Sequence, residues 1–78
     1  MVAVDQLSNQ IVYKVWPMPV EAALQNNQPI TLAVGTNVWF STNVGNGFLE
    51  FDVTSGPYSG KRVRIHGASL NNRLTKSL

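Results

Sequence analysis

Residues 48–66 read Phe-Leu-Glu-Phe-Asp-Val-Thr-Ser-Gly-Pro-Tyr-Ser-Gly-Lys-Arg-Val-Arg-Ile-His, two alternating runs on either side of a dense cluster of turn formers. Successive side chains of a strand point to opposite faces, so Leu49, Phe51 and Val53 share one face and Glu50 and Asp52 the other. By the same rule Val63 and Ile65 oppose Arg62, Arg64 and His66. The pattern is that of a β-hairpin. Folded symmetrically about Pro57, it sets Phe51 against Val63 and Leu49 against Ile65 inside, with Asp52 against Arg62 and Glu50 against Arg64 outside. Opposite charges facing each other across antiparallel strands support that register.

A chain of 78 residues makes one small domain, which buries only about 60% of the surface its unfolded form exposes. Its 44% hydrophobic content supplies a core, but only 13% of its residues are charged, about half the usual share. Asn, Gln, Ser and Thr must therefore carry the surface. With no cysteine the redox compartment is undecided, and localisation stays unknown. Asp5, Gln6, Asn9, Gln10 and Lys14 interrupt the first 20 residues, so the reading is of a soluble chain with neither signal peptide nor membrane span. The net charge of +2 conceals an asymmetry: all four acids and Lys14 fall in residues 1–52, and the other five cations in residues 61–76.

Residues 1–9 have no sustained period and read as a flexible arm. In residues 10–16, Ile11, Tyr13 and Val15 alternate with Val12, Lys14 and Trp16, a strand pattern that Pro17 and Pro19 stop. Residues 19–27, Pro-Val-Glu-Ala-Ala-Leu-Gln-Asn-Asn, place proline before good helix formers and end on asparagines; a short helical or irregular excursion is expected. Residues 29–34 alternate again and turn at Gly35-Thr36 into residues 37–43, which predicts a second hairpin. Asn46-Gly47 is the dipeptide that most readily adopts a type I′ turn, and it leads into the 48–66 hairpin. Gly67 to Leu70 reads as a 3₁₀ turn that tucks Leu70 under the sheet, and residues 71–78 as a fraying tail.

The expectation is an all-β domain over residues 10–70, a five-stranded sheet curled into a small, partly open barrel. From Thr31 onward the order of features resembles the bacterial SH3-like (SH3b) family. The resemblance rests on Leu32, Gly35, Thr36 and Val38, on Gly47-Phe48, on Gly60, Lys61 and Val63, and on Ser69-Leu70, and it covers about half the chain. These are turn and core residues; what they imply is an SH3-like fold and a non-catalytic module that binds peptides or proteins, cell-wall peptides among them. Residues 53–60 also look like the opening of a KOW motif, although Val63 stands where that pattern has glycine. Gly56, Pro57 and Gly60 are equally what a wide hairpin loop requires.

No cofactor or metal site is suggested, since the chain has no cysteine and His66 is its one imidazole. A triad of Ser55 or Ser59 with His66 and Asp52 would need His66 to reach back along the whole hairpin. Glu50 and Asp52 share a strand face as paired carboxylates would, yet arginines opposite would keep both ionised. The chain reads as a binding protein rather than an enzyme. Trp16, Trp39, Phe48 and Tyr58 fall on outward or loop positions and are candidates for an aromatic groove beside residues 45–47 and 55–60, where aromatic side chains contribute most to interface energy. The tryptophans have a structural reading as well, as plugs in the open ends of the barrel. The alternative function is small nucleic-acid binding, with Lys61, Arg62, Arg64, Arg73 and Lys76 on phosphates and Tyr58 or Trp39 stacked on bases. Homo-oligomerisation would cover Val12, Trp16 and Phe48.

Overall fold

The computed structural model describes residues 4–77. Among them seven strands form one sheet: β1 (Val12–Val15), β2 (Val20–Leu24), β3 (Pro29–Leu32), β4 (Asn37–Gly45), β5 (Phe48–Val53), β6 (Arg62–His66) and β7 (Leu74–Lys76). The spatial order is β3-β2-β6-β5-β4-β1-β7, and each neighbouring pair is antiparallel.

Two short links force this sheet to curl. Residues 16–19 join β1 to β2 and residues 33–36 join β3 to β4, in each case strands four places apart in the sheet. A four-residue link reaches about 17 Å at full extension, less than the roughly 19 Å that four strand spacings would need in a flat sheet. The result is a half-barrel. Its closure is fixed where the Gly35 N–H donates to the Val15 carbonyl at 2.8 Å and the Val15 N–H to the Thr36 carbonyl at 2.9 Å. Thr36, buried there, donates its hydroxyl to the Ala33 carbonyl at 2.7 Å.

Alternating side chains fill the concave side. Tyr13 and Val15 come from β1, Val20 and Ala22 from β2, Ile30 and Leu32 from β3, and Val38 from β4. β5 adds Leu49, Phe51 and Val53, β6 adds Val63 and Ile65, and Leu74 of β7 completes the wall. A single helical turn, α1 (Gly67–Leu70), packs against β6 and β2 and inserts Leu70. His66 starts it: its Nδ1 accepts from the Ala68 N–H at 3.2 Å.

The β5–β6 hairpin has the expected register, with Leu49 opposite Ile65, Phe51 opposite Val63, Glu50 opposite Arg64 and Asp52 opposite Arg62. Asn46 and Gly47 both have positive φ (55° and 83°) between the paired residues Gly45 and Phe48, as a type I′ turn requires.

Five expectations are corrected. The sheet has seven strands rather than five. The helical excursion at 19–27 is instead β2 followed by a turn: Val20 and Ala22 point inward and Glu21 outward, and pairing with both β3 and β6 outweighs the helix propensity of Glu, Ala and Leu. Residues 29–34 and 37–43 do not pair with each other, since β3 lies on β2 and β4 lies between β1 and β5. The turn at 67–70 is α-helical rather than 3₁₀. Within the expected tail, Leu74–Lys76 pairs with β1 and buries Leu74. Of the arm expected at 1–9, residues 1–3 lie outside the described residues, as does residue 78 of the tail; Val4–Gln6 form one 3₁₀ turn and Leu7 packs on the core. Among the described residues no helix is long and apolar enough to cross a membrane.

Candidate binding surface

The convex face of the sheet carries the residues that the core does not use. Trp39 of β4 stands there between Val12 of β1 and Asp52 of β5 in one cross-strand row. It is half-buried, and it lines a groove of about 570 Å³ with Ile11, Val12, Asn37, Thr54, Lys76 and neighbouring atoms of Gln10 and Ser77. The rim is tied down by hydrogen bonds: the Asn37 N–H donates to Ser55 Oγ at 2.8 Å, Ser77 Oγ donates to Asn37 Oδ1 at 3.2 Å, and the Ser77 N–H donates to the Val12 carbonyl at 3.0 Å. Ser77, just past β7, and Ser55, in the β5–β6 loop, thereby anchor Asn37 at the edge of the groove.

The other three candidate aromatics stand elsewhere. Phe48 is exposed on the convex face with its ring edge-on to His66, centroids 5.0 Å apart, and lines a separate cleft. Tyr58, in the β5–β6 loop, is half-buried against the core. Trp16, nearly half exposed, carries the Lys14 ammonium 5.3 Å from its ring centroid. Neither tryptophan belongs to the buried core, so the reading of them as barrel plugs is set aside.

The five cations divide into two groups. Lys61 precedes β6, and Arg62 and Arg64 project from its convex face, whereas Arg73 and Lys76 lie at and beside β7, four strands away. Arg62 is heavily engaged: its Nε donates to Asp52 Oδ1 at 2.8 Å and a terminal nitrogen to Oδ2 at 3.3 Å, while Glu50 lies 3.6 Å away. The bond to Asp52, then the charge of Asp52, holds the Arg62 guanidinium above its ordinary value, with Glu50 adding a little and partial desolvation opposing. The expected Glu50–Arg64 ion pair is not made; Glu50 turns to Arg62 although Arg64 is its ladder partner.

The residues of the paper triad are occupied separately. Asp52 binds Arg62, Ser55 Oγ accepts from Asn37, and His66 Nδ1 accepts from Ala68. Reading the sequence missed Val12, Asn37 and Thr54 as groove walls, because only the β1–β4 register brings them to Trp39. The alternation of Val12 with Tyr13 was the available signal: it assigns Val12 to the face that the core leaves free. Comparison with protein-family models, curated proteins and solved structures finds no match to this chain.

Proposed function

We infer that the domain is a non-catalytic binding module whose ligand is a peptide or protein segment laid across the convex face at Trp39. The observation that carries this reading is the Trp39 groove, where Ile11, Val12 and the indole give an apolar floor and Asn37, Thr54 and Lys76 a polar rim. A few well-placed polar groups around an apolar concavity suit recognition, and a partly rigid indole contributes large contact area at low entropic cost. The adjacent backbone supports an extended ligand as well. β1 pairs with β4 only as far as Trp39, so beyond it β4, which runs on to Gly45, has no strand on its β1 side among the described residues. A peptide adding along such an edge gains main-chain hydrogen bonds while alternate side chains enter the groove. The resemblance of residues 32–70 to the SH3b family points to the same class of ligand, with cell-wall peptides the first to try.

The test uses a Trp16→Phe variant, which leaves Trp39 as the only indole. Cell-wall stem peptides and a library of short peptides are titrated at low and at high salt, and the emission of Trp39 is followed. Saturable change that varies little with salt is the expected result, and Trp39→Ala, followed by calorimetry because it removes the fluorophore, should weaken binding at least tenfold. Failure of every peptide, together with binding of single-stranded RNA or DNA that weakens steeply with salt, would transfer the function to Lys61, Arg62, Arg64, Arg73 and Lys76.

A further inference from the structure

The β5–β6 ladder presents two acids and two arginines in facing positions, Glu50 with Arg64 and Asp52 with Arg62. Pairing by position would neutralise all four. Instead both carboxylates turn to Arg62, Asp52 at 2.8 Å and Glu50 at 3.6 Å, and Arg64 has no carboxylate within ion-pair distance among the described residues. This unpaired guanidinium lines a cleft of about 440 Å³ on the convex face. Phe48 and Val44, from the β4–β5 hairpin, and Ala23, the ladder partner of Arg64 on β2, supply its apolar walls; Asn27 and Asn46 lie at turns on either side. Phe48 is braced, since it meets the His66 ring edge-on at 5.0 Å and that ring is itself held by the Ala68 N–H.

A planar fork of donors with uncompensated positive charge, next to an aromatic wall, complements a ligand with a planar anionic head and an apolar body. We propose that this cleft binds a carboxylate, the head on Arg64 and the apolar body against Phe48. Two sources share that chemistry: a small aromatic or aliphatic acid, and the C-terminal carboxylate of a peptide ending in an apolar residue. The volume is that of a small-ligand site, and compact inorganic anions lack the part that Phe48 would hold. The site is distinct from the Trp39 groove and does not depend on that groove being functional.

The test is a chemical-shift titration of the full chain with phenylacetate, N-acetyl-leucine, N-acetyl-leucine amide and inorganic phosphate. The acids are expected to shift the Ala23, Asn46 and Phe48 amides and the Arg64 side-chain resonance in a saturable way, while the amide and phosphate leave them in place. Arg64→Gln should weaken acid binding at least tenfold with the thermal midpoint unchanged, and Arg64→Lys, which keeps the charge but loses the fork, should retain part of it. A peptide ending in leucine that binds more tightly than N-acetyl-leucine assigns the site to chain ends; tighter binding of phenylacetate assigns it to small acids. Equal binding of acid and amide, shifts centred on Lys61 and Arg62, or indifference to Arg64→Gln would overturn the proposal.

Discussion

Asp52 accepts two hydrogen bonds from Arg62 across the β5–β6 ladder, at 2.8 and 3.3 Å, and both side chains remain substantially exposed to solvent. The pair fixes which acid faces which cation on the convex surface. Because the guanidinium is held above its ordinary value in the fold, its contribution is fully present below the unfolded value and is lost only as the pH climbs through the folded one, in strong alkali. Salt is therefore the more useful variable. Asp52→Asn should lower the thermal midpoint at low ionic strength, and the gap to the wild type should narrow towards 1 M NaCl, where the screening length shrinks from about 10 Å to about 3 Å. A gap independent of salt would mean that the loss comes from hydrogen-bond geometry and not from charge.

Tyr13 links the start of the described chain to the core. Its ring is buried, and its hydroxyl oxygen accepts from the Ser8 N–H at 2.7 Å. Tyr13→Phe keeps the packing and leaves that partly buried amide without its acceptor, at a cost of about 0.5–1.5 kcal/mol. Hydrogen exchange should quicken more at Ser8 than at Val38 and Phe51, whose core amides follow only the change in global stability. Unchanged exchange at Ser8 would show that the hydroxyl does not hold this segment.

How much of this could be read from the residues depends on how local the determining interaction is. The β5–β6 register was legible because each strand alternates cleanly and the glycine-proline cluster between them sets the fold-back. The type I′ turn was legible because Asn46-Gly47 tolerates positive φ where other pairs do not. β2 was not, since Glu21, Ala22, Ala23 and Leu24 all favour a helix in isolation and only the partners β3 and β6 make them a strand. β7 was missed for a related reason: three residues carry too little period to detect, and their place beside β1 is a long-range contact. For the candidate sites, exposure of Trp39 and Phe48 followed from alternation, but their neighbours did not. Val12 reaches Trp39 through the β1–β4 register, and Arg64 is freed only because Glu50 bends to Arg62.

Leu74 tests whether β7 belongs to the core. It is 1% exposed and sits opposite Val15. Removal of a buried leucine side chain down to alanine costs about 2–5 kcal/mol, a large part of the roughly 4–12 kcal/mol expected for a domain of this size. The urea midpoint of Leu74→Ala should fall sharply, whereas Lys76→Ala, exposed two residues later, should change stability by no more than about 0.5 kcal/mol. Equal, small effects of the two would return residues 74–76 to a loose end.

Gly47 and Gly45 separate backbone strain from crowding within one turn. Both have positive φ, 83° and 91°, so a side chain at either position incurs the left-handed penalty of roughly 1–2 kcal/mol. At Gly45 nothing lies within 4 Å of the added carbon, whereas at Gly47 it would come within 3.1 Å of His66 Nε2. The turn cannot easily back away, because the Gly47 carbonyl accepts from the Gly67 N–H at 2.8 Å. The imidazole is also constrained, by the Ala68 N–H on Nδ1 and by Phe48 against its face or edge. Gly47→Ala is therefore expected to lower the thermal midpoint more than Gly45→Ala does, and to move the His66 ring protons and the Ala68 amide, which Gly45→Ala leaves in place. If the two variants lose the same stability and neither disturbs His66, the imidazole has room to swing, and the bracing of Phe48 beside Arg64 is weaker than the geometry requires.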